Sequence, residues 1–225
     1  MSKNCLIIGS KSSLGVEIEK IFKKNFYTVF GTSRKFKKIS DPKKIYLDFA
    51  NAESLNQFEN KIPSLDSVIF CTGMLIGKEL IDYKDIEILK VYQANIIGPL
   101  MLLSRINKKL NRKCSVVFIG SISGSAGSFD EVYASSKSAI NGLIKSLAKK
   151  SKKSIRFNSI APGLIKNSGM YKQFSAKEIE NHKNTTPTNE LNELKKIAKI
   201  CLNICQDNWF QLNGQNIDIN GGKYV

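Results

Sequence analysis

A tyrosine and a lysine stand four residues apart at the start of a predicted helix, in the segment Tyr133-Ala-Ser-Ser-Lys137. This spacing places a phenol and an ammonium group one turn apart on the same helix face. A phenol so placed can donate a proton to a reacting oxygen, and a nearby cation stabilises the phenolate that remains. The same spacing also arises by chance on the helix surfaces of a lysine-rich chain, so the pair needs support from its surroundings.

The preceding predicted strand, 115–121, supplies that support. It ends in Phe118-Ile-Gly-Ser121-Ile-Ser123, so hydroxyl groups follow where the strand finishes. Ligands of open α/β sheets bind just outside the carboxyl ends of the strands. We therefore expect the hydroxyl groups of Ser121 and Ser123 to lie near Tyr133 and Lys137, with either serine able to take part.

A second candidate site follows the first predicted strand, in the turn Gly9-Ser-Lys-Ser-Ser13-Leu-Gly15 that leads into an amphipathic helix. Small side chains allow the backbone to approach a pyrophosphate, and the helix N-terminus offers free N–H groups and a positive dipole. Ser13 stands where most dinucleotide-binding turns have a middle glycine, so the spacing alone is not specific. The position of the turn, between the first strand and the first helix, favours a dinucleotide site.

The end of the second predicted strand indicates which dinucleotide is bound. The residues there are Thr32-Ser-Arg34-Lys35, without a carboxylate. NAD sites usually place Asp or Glu at this point, whereas NADP sites place a cation for the 2′-phosphate. We expect NADP(H) rather than NAD(H), although both cations also fit the general lysine excess. After the third strand, Asp48 is expected either to accept a hydrogen bond from the adenine amino group or to cap the helix beginning near Ala52.

Short β-type runs alternate with helical patterns along the whole chain, without a linker or an internal repeat. The predicted strands are Cys5 to Ile8, Thr28 to Gly31, Lys44 to Leu47, Ser67 to Cys71, Ser115 to Ser121, Ile155 to Ile160 and Asn216 to Ile219. This pattern predicts an α/β fold, a single Rossmann-type domain over residues 1–225 with a doubly wound, parallel, seven-stranded sheet and helices on both faces.

The chain is strongly basic, with 35 Lys and Arg against 19 Asp and Glu and a formal net charge of +16. We expect a solvated basic surface rather than nucleic-acid binding, because neither an aromatic-studded basic face nor a recognition motif accompanies the charge. Five cysteines without a CxxC pair, and a single histidine, predict no metal site. No apolar run reaches the roughly 18 residues needed to span a bilayer, so we expect a cytoplasmic protein without a membrane span.

Taken in order, these motifs resemble the short-chain dehydrogenase/reductase family in its single-domain form, and in particular its 3-oxoacyl-acyl-carrier-protein reductase-like members. The resemblance covers nearly the whole chain. The matching segments are the turn 9–15, Asp48, Cys71-Thr72-Gly73, Asn95-Ile-Ile-Gly98, Ser121, Tyr133, Lys137, the segment 156–165 and the segment 213–222.

The resemblance implies an enzyme that transfers hydride from NADPH to a carbonyl group, with four catalytic residues: Asn95, Ser121, Tyr133 and Lys137. Tyr133 would donate the proton, its ordinary pKa of about 10 being lowered by Lys137 and by the oxidised nicotinamide. Lys137 would also hydrogen-bond the nicotinamide ribose. Ser121 would hold the carbonyl oxygen, and Asn95 would support a water path that restores the proton.

The predicted cofactor-binding residues combine the turn argument with the resemblance. They are Gly9, Lys11, Ser12, Ser13, Leu14, Gly15, Arg34, Lys35, Asp48, Cys71, Thr72, Gly73, Tyr133, Lys137, Pro162, Gly163 and Ile165. Residues 166–188 are expected to form a substrate lid. The expected substrate is a 3-oxoacyl thioester or another small molecule; a sugar- or polysaccharide-pathway oxidoreductase and a catalytically silent nucleotide-binding regulatory protein remain alternatives.

The resemblance also implies a homo-oligomer, a tetramer or a dimer, in which the helices around 86–110 and 133–150 pair across a two-fold axis. The sequence adds independent support, because the first of these helices carries apolar residues on more than one face. These residues are Leu89, Tyr92, Ile96, Ile97, Leu100, Met101, Leu102 and Leu103.

Overall fold

A computed structural model describes residues 2–37, 39–152 and 154–224; Met1, Lys38, Lys153 and Val225 lie outside the described residues. The strands are β1 Asn4–Ile8, β2 Thr28–Ser33, β3 Lys44–Tyr46, β4 Leu65–Phe70, β5 Leu110–Ile119, β6 Arg156–Pro162, β7 Ile165–Lys166, β8 Asn192–Glu193 and β9 Asn216–Ile219. The α-helices are α1 Ser13–Lys24, α2 Ala52–Asn56, α3 Asp85–Tyr92, α4 Gly98–Ile106, α5 Ser123–Ala126, α6 Glu131–Lys150, α7 Ala176–Asn184 and α8 Leu194–Cys205.

Seven of the strands form one parallel sheet in the order β3-β2-β1-β4-β5-β6-β9. The predicted doubly wound α/β sheet is therefore confirmed. The chain runs from β1 outward to β3 and then returns to β4 on the other side of β1. This reversal leaves a crevice at the carboxyl ends of β1 and β4, where open sheets bind their ligands. The short parallel pair of β7 and β8 was not predicted.

Apolar side chains fill the space on both faces of the sheet. On one face, Ile18 and Phe22 of α1 pack with Ile197 and Cys201 of α8 against the central strands. On the other face, the core includes Phe58, Phe70, Leu102, Phe118 and Ile144. Strands buried on both faces read as continuous apolar runs, which is why Cys5 to Ile8 and Val116 to Phe118 were recognisable in the sequence.

The helical run Asp85–Lys109 is long and apolar enough, by length and composition, to cross a membrane. In this fold it is the layer beside α6, and Leu102 and Ile106 are fully buried in the core. The run divides into α3, a π-helical turn over Gln93–Ile97, and α4. Its apolar residues do cover more than one face, as the sequence indicated: Ile86, Leu89, Ile97, Leu100 and Met101 are exposed.

Candidate active site

Two adjoining cavities form a cleft along the carboxyl edge of the sheet. The front cavity, of about 430 Å³, is lined by Ser121, Tyr133 and Lys137 together with lid residues. The rear cavity, of about 470 Å³, is lined by Lys11, Arg34, Lys35 and Asp48. Both cavities share Ser12, Cys71, Thr72 and Gly73, so residues predicted from six separate segments meet in one cleft.

The glycine turn between β1 and α1 has the close approach expected of a dinucleotide-binding turn. Gly9 adopts a φ of +83°, which favours glycine. A Cβ atom at Gly15 would collide with the carbonyl oxygen of Gly9, so the turn closes only with glycine there. Ser12 caps α1 by accepting a hydrogen bond from Gly15 N at 3.0 Å. Ser13 opens α1 with a helical backbone, so a serine in place of the middle glycine imposes no strain.

Positive charge lines the rear cavity at the end of β2. Arg34 and Lys35 are exposed on a 3₁₀ turn directly after β2, and Ser33 caps this turn by accepting from Lys35 N at 3.1 Å. Lys11 lies over the ring of Phe36, with Nζ 5.5 Å from the ring centroid. These cations and the glycine turn give the rear cavity the charge and shape that an anionic dinucleotide requires.

Asp48 also lines the rear cavity, and it is not the helix cap. Asn51 caps α2 by accepting from Ser54 N at 2.9 Å. The Asp48 carboxylate accepts from Ala50 N at 3.1 Å and faces the cleft. The structure therefore excludes the capping role of Asp48, and its hydrogen bond to the adenine amino group stays a prediction.

The remaining predicted cofactor residues follow the same edge. Pro162 ends β6, and Gly163 and Ile165 follow it along the wall of the front cavity, as do Ser13 and Leu14 at the start of α1. Gly15 is the one predicted member that lines neither cavity: it is buried behind the turn and allows the turn to form.

Tyr133 is buried in the first turn of α6, next to Ser121 at the end of β5. Burial raises the pKa of Tyr133 to about 12, while the neighbouring Ser121 hydroxyl acts in the opposite direction. Burial dominates this pKa in the chain alone, and its expected lowering by Lys137 together with the oxidised nicotinamide stays a prediction for the protein with its cofactor. Lys137 Nζ lies 5.9 Å from the centroid of the Tyr133 ring and donates instead to the Ile119 carbonyl oxygen at 2.9 Å.

The surroundings of Lys137 change the pKa of its own ammonium group. Lys137 is 3% exposed, and burial lowers its pKa to about 8, with the nearby Cys71 thiol opposing this shift. Its ammonium group lies at the junction of the cavities, where a Cβ atom on Gly73 would stand 3.3 Å from Nζ. A lysine with this pKa carries its proton near neutral pH but releases it readily as the solution becomes alkaline.

Asn95 lies in the π-helical turn and is 2% exposed. Its Oδ1 atom accepts from Met74 N at 2.7 Å, and its Nδ2 group donates to Met74 O at 3.0 Å and to Ser136 Oγ at 2.8 Å. Asn95 therefore ties the loop after β4 to α6, one residue away from Lys137. A π-helical turn often marks a functional site, and here it places the Asn95 side chain between Met74 and Ser136.

Asp130 was missed by the sequence reasoning. This carboxylate is fully buried and caps α6, with Oδ1 accepting from Tyr133 N at 2.7 Å. Its Oδ2 atom accepts from Gly77 N at 2.9 Å and from the Tyr83 hydroxyl at 2.7 Å. The sequence signal was an aspartate immediately before a helical pattern, which is a common cap.

The predicted lid contains a 3₁₀ turn over Tyr171–Gln173 and helix α7, and several of its residues line the front cavity. Phe174 and His182 pack edge to face with ring centroids 5.1 Å apart, and both line the cavity with Met170. Lys223 Nζ lies 3.1 Å from His182 Nδ1, which fastens α7 to the C-terminal tail. Burial and Lys223 both lower the pKa of His182. The place of His182 in the cleft had no sequence signal.

Comparison with known proteins places this cleft in a family. The family model described as enoyl-(acyl carrier protein) reductase matches residues 19–223. A 3-oxoacyl-(acyl-carrier-protein) reductase of Buchnera aphidicola subsp. Baizongia pistaciae is 28% identical and aligns with 99% of this chain and 98% of its own length. The chain belongs to the short-chain dehydrogenase/reductase family. It is a short-chain oxidoreductase resembling the 3-oxoacyl-acyl-carrier-protein reductases.

Solved structures of the family share the fold. A short-chain dehydrogenase/reductase from Brucella melitensis, described as a glucose/ribitol dehydrogenase, superimposes with a TM-score of 0.90 at 19% identity, covering 99% of this chain and 97% of that one. ElxO with NADPH bound superimposes with a TM-score of 0.84 at 28% identity, covering 99% of each chain. This family membership supports a nicotinamide cofactor in the cleft.

Proposed function

We propose that this short-chain dehydrogenase/reductase is an NADPH-dependent carbonyl reductase of a single domain, residues 1–225, acting on a 3-oxoacyl thioester or a related ketone. The observation that carries the proposal is the convergence of Ser121, Tyr133 and Lys137 on the front cavity, directly beside the glycine turn and the basic rear cavity. NADPH, when bound, supplies the hydride. The relatives named as 3-oxoacyl reductases support the substrate class.

The roles of the residues follow from their positions. Tyr133 donates its phenolic proton to the oxygen of the substrate carbonyl, and a pKa of about 12 keeps that proton in place until charge develops on the oxygen. Ser121 orients the same oxygen by a hydrogen bond. Lys137, charged near neutral pH, stabilises the phenolate that remains and holds the ribose of the cofactor. Asn95 positions Lys137 by fixing the loop after β4 against α6.

Further groups bind the cofactor and enclose the substrate. Arg34 and Lys35, with Lys11 beside them, hold the 2′-phosphate, which favours NADP(H) over NAD(H). Residues 166–188 close over a substrate whose apolar part contacts Met170 and Phe174. The exposed apolar residues of α3 and α4 form the contact between copies in a dimer or tetramer, and the protein acts in the cytoplasm.

Steady-state turnover tests the proposal. The purified protein should oxidise NADPH with a 3-oxoacyl thioester at a kcat/KM at least tenfold above that for small ketones. A preference for sugar alcohols with NADP⁺ would instead support a sugar oxidoreductase. NADPH binding without turnover on any of these substrates would contradict the proposal and favour a nucleotide-binding regulatory protein.

A further inference from the structure

The edge of the sheet opposite the cleft is strongly basic. The amino ends of the parallel strands meet at this edge, together with the ends of the helices that precede them. Three segments that lead from a helix end into β2, β5 and β6, residues 23–27, 107–113 and 149–155, contain no Asp or Glu, and the second includes the first residues of β5. Their exposed cations are Lys23, Lys24, Lys108, Arg112, Lys113, Lys149, Lys150 and Lys152. Lys23 pairs with Glu19 at 2.7 Å, whereas the other seven cations leave a net positive charge at this end of the molecule.

Three aromatic side chains are exposed at the same edge: Phe26, Trp209 and Phe210 are 87%, 47% and 69% exposed. The expectation that the basic surface lacks aromatic residues is therefore wrong. They are spread along this edge, because Phe26 precedes β2 whereas Trp209 and Phe210 precede β9, five strands away in the sheet. We call these three residues and the cations of the three segments the basic edge.

Hydrogen bonds fix the aromatic turns to the strands. Ser2 Oγ donates to the Phe26 carbonyl oxygen at 2.8 Å, and Lys3 Nζ lies 3.3 Å from Asp207 Oδ2. The carbonyl oxygen of Trp209 accepts from the Arg156 guanidinium at 3.0 Å. Phe26 and Trp209 thus sit on anchored turns that hold their side chains at the surface.

The backbone of Phe26 ends α1, with Tyr27 N donating to the Phe22 carbonyl oxygen at 3.1 Å, but its ring has no evident role within the folded chain. Its φ of +63° is a left-handed conformation that glycine or asparagine adopts at much lower cost than a residue with a bulky side chain. Its exposed ring does not offset that cost by burial. A large apolar side chain kept at such a position, among cations, indicates a surface that is covered when the protein meets a partner.

We propose that the basic edge docks the protein on the surface of an anionic lipid bilayer. Lysine and arginine are attracted to anionic headgroups, and phenylalanine and tryptophan enter the boundary between headgroups and acyl chains. The aromatic residues are exposed and spread along the edge, which suits insertion into a soft surface better than the base stacking of a nucleic-acid groove. Docked in this way, the protein turns its cleft away from the bilayer and leaves the cleft open to water.

Trp209 provides the direct assay, because it is the only tryptophan in the chain. Vesicles of phosphatidylcholine with one third phosphatidylglycerol should shift its emission to the blue and sediment the protein. Pure phosphatidylcholine vesicles should do neither. The combined Phe26→Ala and Phe210→Ala variant, and separately Arg112→Gln with Lys113→Gln, should bind the anionic vesicles at least tenfold more weakly. Ile81→Ala, which removes an 89% exposed side chain at the opposite edge, is the matched control and should bind normally.

Circular dichroism verifies that each variant is folded, independently of any turnover. Equal sedimentation with both vesicle types, or an unchanged Trp209 emission, overturns the proposal. A single-stranded oligonucleotide that shifts the emission while anionic vesicles do not would assign the basic edge to nucleic acid instead. Light scattering in which the phenylalanine variant loses an oligomer, without any vesicle binding by the parent, would assign it to a contact between copies.

Discussion

Replacing Asp130 tests whether the start of α6 is built to hold Tyr133. The Asp130→Ala variant removes the cap of α6, which costs about 1 kcal/mol. It also leaves the Gly77 amide and the Tyr83 hydroxyl without their acceptor, and an unsatisfied buried donor costs roughly 1 to 3 kcal/mol. Because Gly77 and Tyr83 are partly accessible to water, we take the lower end for each. The free energy of unfolding should therefore fall by about 3 kcal/mol.

Urea denaturation followed by circular dichroism measures this loss, and initial rates of NADPH oxidation measure its effect on the site. A first turn that frays displaces the Tyr133 hydroxyl, and a misplacement of about 1 Å can lower kcat by about 100-fold. Asp85→Ala, an exposed aspartate in the first turn of α3, is the matched control and should change stability by less than about 0.5 kcal/mol. A loss below about 1 kcal/mol for Asp130→Ala, with normal kcat, would refute the reasoning.

Three further predictions concern the cofactor, the lysine and the assembly. Arg34→Asp should move the ratio of kcat/KM for NADPH over NADH by about 2 kcal/mol, or about 30-fold, because repulsion replaces a charge-assisted contact; an unchanged ratio rejects Arg34 as the selector. The kcat/KM should fall as pH rises through about 8, because Lys137 then loses the charge that stabilises the Tyr133 phenolate; a profile that stays flat above this pH contradicts that role. Ile97→Glu should split the oligomer seen by light scattering and lower activity, whereas a parent protein that is already monomeric at micromolar concentration argues against the predicted contact.

The sheet was predictable because its signals are local. The apolar runs at Cys5 to Ile8 and Val116 to Phe118 identify buried parallel strands without reference to the rest of the chain. The predicted strand ends also placed Ser121 and Gly9 at the same edge of the sheet, since parallel strands align their carboxyl ends. Element bounds were less certain: β5 begins at Leu110, well before the predicted start, because its first residues are polar and look like a loop.

Features that depend on contacts between distant segments could not be predicted. Asp130 receives hydrogen bonds from Gly77 and Tyr83, about 50 residues earlier in the chain, and nothing in the local sequence announces them. The place of His182 in the front cavity depends on how the lid folds back over β6. The aromatic residues of the basic edge are equally scattered, and only the fold places Phe26 and Trp209 at the same edge of the sheet. The burial that raises the Tyr133 pKa could not be predicted for the same reason, because burial is a property of the whole structure.

The most direct test of the account is the Tyr133→Phe variant, which removes one hydroxyl group from the front cavity. Turnover of a 3-oxoacyl thioester should fall at least 1000-fold, while the Kd for NADPH, measured by calorimetry, should change less than threefold. Tyr92→Phe is the matched control. It removes a hydroxyl group of α3 that forms a 2.9 Å hydrogen bond with Ser135, which lies on α6 together with Tyr133. Retention of more than a tenth of the activity by Tyr133→Phe would contradict the assignment of Tyr133 as the proton donor.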